Sequence, residues 1–386
     1  MIELDHLLEA TGGELVRGPF ARTFPGFCHD SRLLSPGELF VAVRTPWGDG
    51  HDYLQAAVQA GAGGILCERF DSLPDAPVTV VQVEDVRRAL VDWGTYVLRR
   101  YRPAVVAITG SLGKTSTKEA IAALLSRKFR TFRSPGNRND LFGLPLALGQ
   151  LLPAHQVAVL EMACDRFGEI GALARMAPPQ VAVVTCVCEA HLEYLGSLEA
   201  LAHEKGDLVA ALPPDGCAVL NADDPLVLSM VPRAPRVVTF GQNAPADIVY
   251  RVVRFDENGS DILVQSQGES VPIRVRLVGP PSGPIVAAAV AVARLYGLGW
   301  EEIAATLADF GPLPGRLRPL AGVQGLLVLD DSYSAIPTSA LAALEALAGL
   351  PGGRRVAVFG DMPAVHPLQA ERLREVGARA AERVDR

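Results

Sequence analysis

The stretch Ala104-Val105-Val106-Ala107-Ile108-Thr109-Gly110-Ser111-Leu112-Gly113-Lys114-Thr115-Ser116 limits what this chain can fold into more than any other. Apolar and β-branched residues run into two glycines, then Lys114 and Thr115, then a helical pattern from Thr117 to Phe129. The spacing predicts a strand, a loop and a helix start in direct succession. Glycines let backbone N–H groups turn toward one point, and a helix N-terminus adds partial positive charge there. The product is an anion cradle suited to a nucleoside triphosphate, with Lys114 reaching the terminal phosphates and the Thr115 hydroxyl ligating Mg²⁺. The loop has the form T-G-x-x-G-K-T. It is shorter than G-x-x-x-x-G-K-[ST], because position 108 is Ile and Gly110 lies three residues before Gly113. Composition disfavours an incidental lysine: four lysines (114, 118, 128 and 205) stand against thirty-two arginines.

With 386 residues, 49% of them apolar, the chain has material for two or three cored domains, at about 150 residues each. A net charge of −7 argues against nucleic acid as the main partner. The start, Met1-Ile2-Glu3-Leu4-Asp5-His6, carries acidic residues where a signal peptide needs positive charge. No apolar run reaches the ~18 residues of a membrane span. Six cysteines (28, 67, 164, 186, 188 and 217) form no C-x-x-C pair and sit mostly in apolar, strand-like surroundings. They are expected as reduced core residues of a cytoplasmic protein. Cys186, Cys188 and His191 have zinc-ligand chemistry, but the C-x-C-x-x-H spacing fits a zinc site poorly.

Residues 1–102 alternate short strands and helices. Leu39–Val43 and Val78–Val83 are expected strands; Tyr53–Ala60 and Val86–Leu98 are expected helices. Tyr101-Arg102-Pro103 is a linker, since proline stops the helix. Residues 103–312 alternate helices with apolar strands at Val157–Glu161, Val181–Cys188 and Cys217–Asn221, the mark of a parallel sheet covered on both faces. Within that block 236–278 looks antiparallel, and Ile285–Tyr296 is an Ala/Val helix. Pro312-Leu313-Pro314-Gly315-Arg316 is a second linker. Residues 313–386 offer strand Leu326–Leu329, helix Thr338–Leu347, strand Val356–Phe359 and helix Leu368–Arg383, which is thin for an independent α/β domain.

In open α/β sheets, ligands collect beyond the carboxyl ends of the strands. Glu161 ends one such strand, and His191 lies three residues past another. Both are candidates to face Thr115, a donor set suited to Mg²⁺. Lys205 sits on an expected helix after His191; on its own it would be a surface lysine. Gly136-Asn137-Arg138-Asn139-Asp140 is a polar loop able to touch substrate or phosphate, and Asn221-Ala222-Asp223-Asp224-Pro225 reads as a strand-exit turn.

Together these segments resemble the Mur ligases, in their D-alanyl-D-alanine-adding branch, from about residue 25 to 380. The first part matches through Asp30-Ser31-Arg32, Pro36-Gly37-Glu38-Leu39-Phe40-Val41-Ala42 and Asp49-Gly50-His51. The central part matches through the loop at 109–115, Gly136-Asn137-Arg138-Asn139, Glu161-Met162, Gly168-Glu169-Ile170, Ala190-His191-Leu192-Glu193 and Asn221-Ala222-Asp223-Asp224. The last part matches through Pro314-Gly315-Arg316 and Asp330-Asp331-Ser332-Tyr333. The resemblance implies a three-domain α/β architecture. Its parts are a UDP-sugar-binding domain (1–102), a central P-loop, parallel-sheet ATP domain (103–312) and a partial, apparently truncated Rossmann-like ligase domain (313–386).

It further implies a monomeric, ATP-dependent amide ligase of peptidoglycan precursor synthesis, using Mg²⁺, UDP-N-acetylmuramoyl-tripeptide and D-Ala-D-Ala. The tripeptide carboxylate attacks the γ-phosphate, and the dipeptide amine then attacks the resulting acyl phosphate; such chemistry needs charge neutralisation more than covalent help. By resemblance, Gly110, Ser111, Leu112, Gly113, Lys114, Thr115, Ser116, Asn137, Arg316 and Asp331 contact ATP. Thr115, Glu161 and His191 serve Mg²⁺, and Lys114, Glu161, His191 and Lys205 are the catalytic set; Lys205 matches a lysine carbamylated in several relatives. Ser31, Arg32, His51 and Asn139 fall to the substrate.

The chain departs from the family pattern in three places. Gly279-Pro280-Pro281-Ser282-Gly283-Pro284-Ile285 lacks a His-Asn pair and a further Asn. Asp331-Ser332-Tyr333-Ser334-Ala335-Ile336-Pro337 lacks two more amides. Each lost contact is expected to weaken base recognition by about 1–3 kcal/mol. The later strands of the third domain do not occur before Arg386, which is expected to lower kcat more than phosphate binding. Two other readings stay open: a non-catalytic nucleotide- or UDP-sugar-binding relative, and a ligase of another branch such as a folylpolyglutamate synthetase-like enzyme.

Overall fold

Strand alternation in the first hundred residues builds a small sheet. The computed structural model describes residues 1–45, 48–71, 73–190, 192–362 and 366–385. Strands β1 (Glu14–Arg17), β2 (Phe27–Cys28), β3 (Leu39–Val41), β4 (Gly64–Cys67) and β5 (Thr79–Gln82) pair in the order β1-β5-β4-β3-β2. All neighbours run parallel except β1, which is antiparallel to β5. Helix α1 (Val86–Tyr101) opens on Asp85, whose carboxylate accepts from the Arg88 N–H at 3.0 Å, and closes at Arg102 in the left-handed region, just before Pro103. It buries Leu90, Trp93 and Val97.

The next block forms a mixed sheet. Strands β6 (Ala104–Thr109), β7 (Thr131–Arg133), β8 (Val157–Glu161), β9 (Val181–Val184), β10 (Cys217–Asn221), β11 (Val237–Gly241), β12 (Ile248–Asp256), β13 (Gly259–Ser266) and β14 (Glu269–Val275) pair in the order β7-β8-β6-β9-β10-β11-β12-β13-β14. Pairing is parallel from β7 through β12 and antiparallel from β12 to β14. Successive side chains of a strand point to opposite faces. Val105 and Ala107 accordingly join one core with Trp93 and Leu144, while Val106 and Ile108 join a second with Ile121 and Val290. β8 and β9 split the same way. Burial on both faces is why these strands read as unbroken apolar runs. The second core lies under α2 (Lys114–Leu125), and the first touches α3 (Glu169–Met176) and α4 (Leu198–Ala210). Helix α5 (Ser282–Leu295) packs its small Ala and Val side chains against α2 and β12.

Beyond it, β15 (Arg318–Ala321) and β16 (Leu327–Asp330) form an antiparallel pair, and α6 (Pro337–Gly349) packs on α7 (Pro367–Arg383) through Ala340, Leu344 and Val376.

Four expectations change. The antiparallel reading of 236–278 holds from β12 onward, but β11 (Val237–Gly241) is parallel to both its neighbours. α2 begins at Lys114, not Thr117, because Gly113 (φ +79°) already serves as its cap. β9 ends at Val184, and residues 185–188 leave the sheet to bond the phosphate loop. Val356–Phe359 takes no strand pairing, and Val358 is 91% exposed. An apolar alternation becomes a strand only where a neighbour supplies ladder bonds and cover; among the described residues no strand pairs with this segment.

Candidate active site

The loop between β6 and α2 is shaped by close approach. Gly110 sits at φ +138°, and a Cβ there would lie 1.9 Å from Thr185 Oγ1, so only glycine passes. The Ser111 N–H donates to Cys186 O at 2.8 Å and the Leu112 N–H to Cys186 Sγ at 3.4 Å. Thr185 Oγ1 donates to Leu112 O at 2.6 Å, and the Cys188 N–H to Ser111 Oγ at 3.0 Å. The Cys188 thiol holds the Cys186 thiol down at about 7. Ser111 and Leu112 therefore spend their amides on the segment behind the loop. The amides aimed outward are those of the first turn of α2, at Lys114, Thr115 and Ser116, which have no intrahelical acceptor. Lys114 Nζ lies over the loop, donating to Gly110 O at 2.9 Å and Ser111 O at 3.1 Å. Burial pushes its ammonium below the ordinary lysine range; Lys205 adds to this and Glu161 opposes it.

The carboxyl end of β8 supplies the acidic wall. Glu161 is 1% exposed, its Oε1 accepts from Asn139 Nδ2 at 2.8 Å, and its Oε2 is buried without a hydrogen-bond partner. A buried carboxylate oxygen left unpaired is costly unless a cation meets it. With the Thr115 hydroxyl on the same cavity, this donor chemistry fits Mg²⁺, which takes hard oxygen ligands. Lys118 is fully buried and pins the polar loop, donating to Ser134 O at 2.6 Å and Gly136 O at 2.7 Å. Lys205, expected alone as a surface lysine, is 2% exposed; its Nζ lies 3.9 Å from Cys164 Sγ. A helix face turned into the core removes the solvent that its sequence suggested.

The phosphate loop, the first turn of α2 and Glu161 border one cavity of roughly 680 Å³. Its lining includes Ser111, Leu112, Gly113, Lys114, Thr115, Ser116, Asn137, Asn139, Glu161, Arg316 and Asp331 from the expected set. The Arg316 guanidinium lies over the Tyr333 ring, 4.0 Å from its centroid, and both line the cavity. Leu277, Val278, Pro281, Ile285 and Ile336 make the remaining wall apolar. Burial pushes the Asp331 carboxyl up to about 6, against the Leu317 N–H that donates to it at 3.0 Å.

The folded chain thus keeps a proton on Asp331 that the unfolded chain releases near pH 4. Stability from this group falls as pH rises from about 4 to about 6 and is level above that. Asp331→Asn should remove that slope and raise Tm at neutral pH. Melting curves of the two proteins that stay parallel from pH 4 to 7.5 would contradict it.

Other expected residues lie elsewhere. Ser31, Arg32 and His51 gather at the carboxyl edge of β2, β3 and β4, away from this cavity's lining. Arg32 binds the Asp30 carboxylate through Nε and Nη2 and holds that carboxyl down at about 2. His51 is buried, with Nδ1 2.5 Å from Asp49 and Nε2 accepting from the Glu68 N–H at 3.0 Å. Both ring nitrogens thus meet protein partners at this edge. Lys205 stands behind Cys164, outside the lining itself. His191 lies outside the described residues. Sequence reasoning missed Lys118 as a structural pin, although lysine scarcity had marked it, and missed Glu189, which carried no local motif of its own.

A phosphate cradle and a buried carboxylate at the ends of parallel strands, with an arginine from the following segment on the same cavity, define a nucleotide-dependent α/β enzyme fold. Residues 108–293 match the Mur ligase middle domain, and residues 315–386 match the Mur ligase, glutamate ligase domain. The chain is 35% identical over 364 residues to the UDP-N-acetylmuramoyl-tripeptide–D-alanyl-D-alanine ligase of Escherichia coli K12, covering 94% of this chain and 79% of that one. A crystal structure of MurF from Acinetobacter baumannii superposes with TM-score 0.87 at 28% identity, covering 98% and 83% of the two chains. MurF ligase from Thermotoga maritima in complex with ADP gives TM-score 0.79 at 30% identity, covering 95% and 83%. The chain belongs to the Mur ligase family, among the relatives of the D-alanyl-D-alanine-adding ligases. Among the described residues no helix is long and apolar enough to cross a membrane.

Proposed function

We propose that this chain is an ATP-dependent ligase that joins D-Ala-D-Ala to UDP-N-acetylmuramoyl-tripeptide in peptidoglycan precursor synthesis. The observation that carries the reading is the single cavity shared by the first turn of α2, Glu161 and Arg316. Lys114 and the amides of Lys114, Thr115 and Ser116 hold the terminal phosphates. Arg316, held over the Tyr333 ring, stabilises charge on the transferring phosphoryl group. Thr115 and Glu161 would hold Mg²⁺, which, bound there, neutralises phosphate charge during transfer. Asn139 orients Glu161, and Lys205 adds positive charge behind it. The carboxyl edge of β2–β4, with Ser31 and Arg32, takes the UDP end of the substrate. The domains divide at 102 and 312, and the protein works as a cytoplasmic monomer.

ADP release should require MgATP, UDP-N-acetylmuramoyl-tripeptide and D-Ala-D-Ala together. Release that continues without the dipeptide, or its absence when all three are present, would reject the reading.

A further inference from the structure

Segment 185–190 lies between the phosphate loop and the C-terminal helices, fastened to both. Its start holds the loop through Thr185, Cys186 and Cys188, as described above. Its end is Glu189, a carboxylate only 3% exposed. The Thr338 N–H donates to Glu189 Oε1 at 2.7 Å, and the Thr338 hydroxyl lies 2.7 and 2.8 Å from the two carboxylate oxygens. Gln369 Nε2 on α7 donates to Glu189 O at 3.1 Å, and the His366 ring lies 3.1 Å from Gly196 O.

The first turn of a helix leaves N–H groups without partners and favours a negative charge nearby. The residue at the cap position of α6 is Ile336, whose side chain makes no capping bond. Glu189, 149 residues earlier in the chain, supplies the missing acceptor and the charge. Of the residues just before α6, Asp331 and Tyr333, Ser334, Ala335 and Ile336 line the nucleotide cavity. Where the first turn of α6 sits therefore decides where that wall sits.

We propose that Glu189 is a positioning residue: it caps α6 from across the cleft and couples nucleotide binding at the loop to the seating of the C-terminal helices. The inference rests on the nucleotide reading of the loop and adds to it the residue that holds the cavity closed.

The test uses the full chain with Glu189→Ala, Glu189→Gln and Thr338→Ser, reading MgADP affinity and amide hydrogen exchange in the first turn of α6. Glu189→Ala should weaken MgADP binding about tenfold, within the usual range of coupling between sites. It should also speed exchange at residues 338–341 while β6 and α2 exchange as in the parent chain. Glu189→Gln, whose amide oxygen still accepts from Thr338, should fall between, and Thr338→Ser should behave as the parent. Faster exchange in α6 with unchanged MgADP affinity would reduce Glu189 to a local cap and overturn the coupling. Unchanged exchange in α6 would overturn the cap itself. Faster exchange throughout β6 and α2 would mark general unfolding and also overturn the proposal. A parent chain that bound no MgADP would instead sink the nucleotide reading, and exchange in α6 would then decide the cap alone.

Discussion

Lys114→Ala should lower ATP turnover by about 10³-fold, at the upper end of what losing one preorganised charge-stabilising donor costs. The lysine's present contacts are two backbone carbonyls of the loop, at 2.9 and 3.1 Å. Bonds from an ammonium to such carbonyls contribute about 1.5–3 kcal/mol each, which the cost of burying the charge offsets. The ammonium sits instead where burial and Lys205 both oppose its charge. An anion arriving at the first turn of α2 relieves that opposition, so the cost of holding the charge is recovered on phosphate binding. Lys114→Ala should leave Tm within a few degrees while removing turnover. Lys114→Arg should not rescue it, since a planar guanidinium cannot occupy the position of a compact ammonium bonded to Gly110 and Ser111. Steady-state ADP release is the measurement, and turnover within tenfold of the parent chain would refute the mechanism.

The second large effect is expected at Glu161. Glu161→Gln keeps the oxygen that accepts from Asn139 and removes the charge at the buried, unpartnered Oε2. Half-saturation by Mg²⁺ should rise at least about tenfold, since one anionic ligand is lost. Turnover should fall by about 10²-fold. In the metal-free protein the same change removes charge from a buried carboxylate whose Oε2 has no hydrogen-bond partner, so Tm should hold or rise. Loss of activity with retained or increased stability is the pairing a purely structural carboxylate would not give. Magnesium titrations and melting curves on the same preparations decide it; a parallel drop in both would count against Glu161 as a metal ligand.

Much of the architecture was legible because its causes are local. The run Ala104–Thr109, the two glycines and the helical pattern after them specify strand, turn and helix through neighbours a few residues away. The apolar strands Val157–Glu161 and Cys217–Asn221 occur at the expected bounds, since a strand covered on both faces needs no alternation. Proline at 103 and the Pro-Leu-Pro-Gly run near 313 mark interruptions for the same local reason.

What failed was whatever depended on a distant partner. Val356–Phe359 has strand composition and no strand beside it. Val181–Cys188 looks like one strand, yet its second half is recruited by the phosphate loop, where Ser111 and Leu112 outbid the sheet for its hydrogen bonds.

The sequence by itself determined the phosphate cradle, the parallel sheet around it and the family to which the chain belongs, because periodicity, turn residues and ordered motifs are written along the chain. Only the tertiary structure decided the environments of the charges. It buried Lys118 and Lys205, left Glu161 Oε2 buried without a hydrogen-bond partner, and set Glu189 on the end of a helix 149 residues away. The reason is physical: whether a charged side chain is solvated, paired or stranded depends on which surfaces fold against it, and no local pattern encodes that.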